Sequence, residues 1–168
     1  DMAGIMFCGC VFTRAAEGHR QGQSQPRRRE VMIGGRRVRT IDIHAHCEVP
    51  EAHAVVGRRM DSRDLLMSDT SGRLAAMDAQ GIDMEALSIN PWWYATERDA
   101  AAEIIRIQNE ALAGIRDSNS ERFTAFATAA LQHPELAAEQ VEHAVKKLGF
   151  RGVGVGGSFK VNESNLLM

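Results

Sequence analysis

Three things are scarce in this 168-residue chain. Cysteine is the first: Cys8, Cys10 and Cys47 make an odd number with no C-x-x-C pair, which argues against a disulfide framework or a cysteine-built zinc site. Excess charge is the second. A formal net charge of −2 does not suit a general nucleic-acid binder, so no nucleic-acid partner is expected. The basic clusters PRRR (Pro26 to Arg29) and GGRRVR (Gly34 to Arg39) read as solvated positions flanking strands. Long apolar runs are the third: none approaches the roughly 18 residues of a membrane span, so no membrane partner is expected either. The run from Ala3 to Phe12 has about the length of a signal-peptide apolar region, but no basic segment precedes it. A cytoplasmic location is therefore expected, with export as the alternative if that run is a signal remnant.

What is present is the composition of a globular protein, 44% hydrophobic and 25% charged, in a chain long enough for one domain with a sizeable core. Residues 1–30 read as an irregular N-terminal segment, its second half a linker that includes His19, and residues 31–168 as the domain. The domain opens as a hairpin, Val31 to Ile33, a Gly34-Gly35 turn, and a return leading into a strand at Ile41. A long polar connection over residues 47–70 follows, then a helix from about Gly72, with Gly81 as its natural stop. Met84 to Ile89 reads as a buried strand, and Glu97 to Arg116 carries Ile104, Ile107, Ala111 and Ile115 at helical spacing. Phe123 to Leu131 reads as the next strand. Pro134 opens a helix with Glu135 early and Lys146 and Lys147 late. Gly152 to Gly156 reads as a fourth core strand, followed by a polar tail that runs to Met168. The pattern is α/β, and strands alternating with helices imply parallel pairing.

The first parallel strand, IDIHAH, ends on two imidazoles. Alternation puts Asp42, His44 and His46 on one face and Ile41, Ile43 and Ala45 on the other. Two strand residues advance about 6.6 Å, close enough for both rings to tilt onto one ion about 2.1 Å from each nitrogen. A hydrogen-bonded pair of histidines at a strand end would satisfy the same spacing. Their place in the first unit of a β/α alternation favours the metal reading.

TIDIHAH, then MDAQGIDMEALSINPWWY, then ERFTAFATAALQHPELAAEQVEHAVKKLGFRGVGVGG, together resemble the amidohydrolase superfamily. The branch they resemble contains aminocarboxymuconate-semialdehyde decarboxylase and related aromatic-acid decarboxylases. The resemblance implies a TIM-type (β/α)8 barrel with a divalent metal, usually zinc, at the C-terminal strand ends, and maps two metal ligands onto His44 and His46. The family's further ligands, later histidines and a late aspartate, are expected beyond Met168. The chain is therefore expected to be the first half of a barrel, about four parallel strands preceded by the hairpin. Its catalytic residues are expected beyond Met168 as well, so none is assigned among residues 1–168.

The function so implied is metal-dependent decarboxylation of an aromatic or unsaturated carboxylic acid. A hydrolase of the same superfamily is the alternative. A second is a catalytically incomplete barrel fragment that self-associates through open strand edges. The partner expected is a small-molecule carboxylate substrate, and family members are often homodimers.

Trp92, Trp93 and Tyr94 follow the second parallel strand and are candidates to wall the substrate, or else form a hydrophobic lid on the rim. His53, Arg58 and Arg59 lie in the first long loop, within reach of a substrate carboxylate or else simply solvated. His133 reads as a helix cap in preference to a ligand, and His143 as exposed. Cys47 alternates away from His46 and is not a ligand candidate.

Overall fold

A computed structural model describes residues 28–60, 65–67 and 69–157. The N-terminal segment, with His19, Cys8, Cys10 and the Ala3–Phe12 run, lies almost wholly outside them, as do Asp61, Arg63 and Asp64. The tail after Gly157 also lies outside the described residues, up to and including Met168. The expectation that catalytic residues fall beyond Met168 therefore has no structural counterpart, and the domain is described only as far as Gly157.

The hairpin forms as expected: β1 (Val31–Ile33) pairs antiparallel with β2 (Arg36–Val38). Its turn residues Gly34 and Gly35 both have positive φ, 56° and 76°, which is what a two-residue turn needs to follow the strand twist.

Three parallel strands follow, β3 (Ile41–His46), β4 (Met84–Ser88) and β5 (Phe123–Ala125), in the order β3-β4-β5. Between β3 and β4 come α1 (Pro50–Ala54) and α2 (Ser71–Gln80); α3 (Arg98–Ser118) precedes β5 and α4 (Pro134–Lys146) follows it. Helix α1 falls where the sequence reads as a polar connection. It is only a turn and a half long, too short to show periodicity, and its Pro50 start is the local signal. Helix α2 stops at Gly81, whose φ of 78° suits glycine and whose missing side chain matters as well. A Cβ there would meet the Arg29 carbonyl oxygen and Val31 Cγ2 at 3.3 Å.

Helix α3 is the principal wall of the core. Its buried stripe of Ala101, Ile104, Ile105, Gln108, Leu112 and Ala113 packs against α1, β5 and α4. Behind it lie Leu87, Ile89, Phe123 and Met77, all nearly inaccessible to solvent. The fourth strand is reduced to one parallel bridge, Ala127 with Val153. Gly152 packs so closely on Phe126 that a Cβ would fall 3.0 Å from its ring, and the glycine-rich stretch offers few side chains for cross-strand packing.

The N-terminal ends of the parallel strands are tied by a polar network. The buried Asp83 carboxylate accepts the Thr40 amide at 2.8 Å and the guanidinium groups of Arg28 and Arg37, each at 2.5 Å. Those donors, the Thr40 amide first, hold its pKa below the ordinary carboxylate range. Arg122 donates to the Asp83 carbonyl at 3.0 Å and to Asp78 at 2.8 Å, stitching β5 to the α2–β4 turn.

Candidate metal centre

Strand β3 does not alternate simply. Asp42 lies opposite Glu85 and Ala45 opposite Leu87, so three steps along β3 match two along β4, a bulge at Ile43 and His44. The extra residue breaks the expected parity: Asp42 and His46 now fall on opposite faces. Ile41 and Ile43 are 52% and 72% exposed, since no helix among the described residues covers these side chains, and β3 is also the edge strand of its sheet. The bulge is held locally by the Asp42 carboxylate, which accepts the His44 amide at 2.9 Å.

The two imidazoles nevertheless meet, with ring centroids 4.6 Å apart and planes nearly perpendicular. His44 is exposed and His46 half-buried. The His46 Nδ1 lies 3.0 Å from the Ser88 hydroxyl oxygen, directly across the register on β4. Partial burial, and then the neighbouring His44, push the His46 pKa down, which favours the neutral imidazole that a metal ligand must be. Two neutral imidazoles fit a divalent cation as part of its donor set, where a catalytic zinc site takes three protein ligands. Among the described residues no cluster of three or more His, Cys, Asp or Glu side chains stands ready to hold a metal.

Behind His46 lies a buried ion pair that the sequence reading missed. Arg73 from α2 donates through Nε to Glu85 at 2.5 Å and through Nη1 to the His46 carbonyl at 3.0 Å. Both side chains are under 10% exposed. Cys47 is buried beside them and burial pushes its thiol pKa up to about 12, so it stays a neutral thiol.

The first-loop candidates divide. His53 is buried on α1, stacks on Trp92 with centroids 4.4 Å apart, and lies with Nε2 3.6 Å from the Glu48 carboxylate. Arg58 sits over the same indole at 5.1 Å and approaches His53 Nδ1 at 3.3 Å, while Arg59 is exposed. The aromatic triplet divides as well. Trp93 is a core residue, wholly buried with its indole N–H donating to the Ala129 carbonyl at 2.9 Å, so it does not face a ligand. Trp92 and Tyr94 are half-buried, and the Tyr94 hydroxyl accepts the Gly156 amide at 3.1 Å. His133 is the N-cap residue of α4, and its Nε2–H donates to the Thr96 carbonyl at 3.1 Å, a tie between loops. His143 is exposed on α4.

The fold and the histidine-bearing first strand define the first half of a TIM-type barrel, and the amidohydrolase family matches residues 41–166; the chain belongs to that family. It is 40% identical over 127 residues to the gamma-resorcylate decarboxylase of Rhizobium sp. (strain MTP-10005), covering 70% of this chain and 38% of that protein. Among solved structures it is similar to a 2,6-dihydroxybenzoate decarboxylase complexed with 2,6-dihydroxybenzoate, at 31% identity and a TM-score of 0.61, covering 74% of this chain and 41% of that one. A dihydroxybenzoic acid decarboxylase from Polaromonas sp. JS666, with bound manganese and the inhibitor 2-nitroresorcinol, matches at 31% identity and a TM-score of 0.61 over 71% of this chain and 38% of that one. The chain thus spans about two fifths of the length of these relatives.

Proposed function

We propose that this chain is the first half of a metal-dependent decarboxylase acting on a hydroxylated aromatic carboxylic acid. The observation that carries the reading is the His44–His46 pair at the C-terminal end of the first parallel strand, with centroids 4.6 Å apart. The decarboxylase relatives, and the manganese bound in one of them, support it. His44 and His46 would hold the cation, zinc or manganese, both of which accept imidazole donors. Bound there, a divalent ion would supply Lewis acidity to the oxygens of the substrate.

The chain's own residues would orient the acid. Trp92 is half-buried beside α1 with its ring stacked on His53 and its indole N–H buried, so it serves as the platform that carries the Arg58 guanidinium. The Arg58 guanidinium over that indole puts a positive charge next to the same surface, suited to a carboxylate.

Metal analysis and CO2 release from 2,6-dihydroxybenzoate test the reading on the purified protein. His44→Ala and His46→Ala are each expected to lower bound metal and any turnover together. Undiminished metal in the double variant would sink it.

A further inference from the structure

The two histidines differ in how firmly they are held. His44 has its amide fixed by Asp42, but its ring is exposed and makes no hydrogen bond among the described residues. His46 is held on three sides. Its carbonyl takes the Arg73 guanidinium at 3.0 Å, and Arg73 is itself immobilised by Glu85. The next amide, Cys47 N–H, donates to the Ser88 carbonyl at 2.8 Å and closes the ladder to β4. With the main chain so fixed, the ring keeps only its two side-chain torsions, and its Nδ1 lies 3.0 Å from the Ser88 hydroxyl.

A neutral imidazole carries one proton, and the nitrogen that bears it cannot bind a metal. We propose that Ser88 is a positioning residue for His46: its hydroxyl oxygen accepts the Nδ1–H, fixes the tautomer and ring angle, and leaves the Nε2 lone pair for the divalent cation. This rests on the metal reading above and extends it to a residue outside the donor set. Ser88 suits the task by register. It lies opposite His46 at the end of β4, directly after Glu85 to Leu87, which are laddered to β5 as well, so its hydroxyl is delivered from the end of the central strand. Partners of this kind raise ligand basicity and hold the ring in one orientation, and their loss typically weakens metal affinity by about 10–100-fold.

The test is made on the purified protein with histidine labelled in 15N. In the metal-free form, His46 is expected to show the Nδ1–H tautomer alone. Ser88→Ala should give mixed tautomers and bind Mn2+ or Zn2+ about 10–100-fold more weakly by calorimetric titration. Ser88→Thr, which keeps the hydroxyl, should restore both. An Nε2–H tautomer in the unsubstituted protein would overturn the proposal, whatever the variants do and even if Ser88→Ala fails to fold. So would Ser88→Ala with unchanged tautomer and affinity while His46→Ala loses metal. Undiminished metal binding in His46→Ala would overturn the metal reading itself, and this inference with it.

Discussion

At one end of the parallel strands almost every charge has found a partner within the chain. Asp83 is saturated by Thr40, Arg28 and Arg37, and Arg122 closes on Asp78 and the Asp83 carbonyl. At the other end β3 is bulged, His44 is exposed and His46 is half-buried. Polar groups that satisfy one another stabilise a fold but have nothing left to offer a ligand, whereas ring nitrogens held at a strand end do. The contrast is the one expected of a barrel, where the bottom face carries stability and the top face carries chemistry. Among the described residues the division is visible with three parallel strands laddered together.

The sharpest way to break the contrast is at the pair that joins the top to the helix layer. Arg73→Met would leave Glu85 as an uncompensated buried charge and release the His46 carbonyl, costing about 3–5 kcal/mol of unfolding free energy in a urea titration. Arg73→Met with Glu85→Leu should recover most of that loss, because an apolar pair of similar size leaves no charge stranded. Recovery of stability without recovery of metal binding would separate the structural duty of Arg73 from its hold on His46.

The bottom network should respond next. Asp83→Asn removes the charged acceptor of two arginines, a loss of about 1.5–3 kcal/mol for hydrogen bonds to a charged group. Because the folded pKa of Asp83 is depressed, the unfolded chain binds its proton first as pH falls. Its contribution is therefore complete above about pH 4 and disappears as the pH drops through the folded value. The Asn variant should lack that acid limb in a melting-temperature profile, and metal affinity at neutral pH should be unchanged.

How much of this was legible follows from how local each signal is. Gly34-Gly35, Gly81 and Pro134 act through their own backbone, and the turn, the end of α2 and the start of α4 fall where those residues put them. The stripe on α3 is equally self-contained. The bulge in β3 is not: IDIHAH reads as perfect alternation, and only its pairing with β4 shows that a residue is extra. Trp92 and Trp93 are neighbours with opposite fates, because the Ala129 carbonyl that captures the Trp93 indole is far along the chain. The histidine pair could be found from spacing, but Ser88, Arg73 and Glu85 are ordinary residues that matter only through what they face.

The smallest expected effect is the most discriminating for the top face. His44→Ala and His46→Ala each remove a side chain at a site with little packing to lose, so unfolding free energy at pH 7.5 should change by about 1 kcal/mol or less. Their difference should emerge on acidification. Partial burial and the neighbouring His44 lower the folded pKa of His46, so the unfolded chain takes up that proton at a higher pH than the folded one. Stability linked to neutral His46 is thus fully present above the ordinary histidine value of about 6.5 and drains away as pH falls through the lower folded value. The unsubstituted protein should lose melting temperature across this window, and His46→Ala should lose less. His44→Ala should reduce the loss only in part, since it takes away the second-largest cause and leaves burial, the largest, and the nearby Arg73 charge in place. Equal pH profiles for all three proteins would mean that the top face is as well compensated as the bottom.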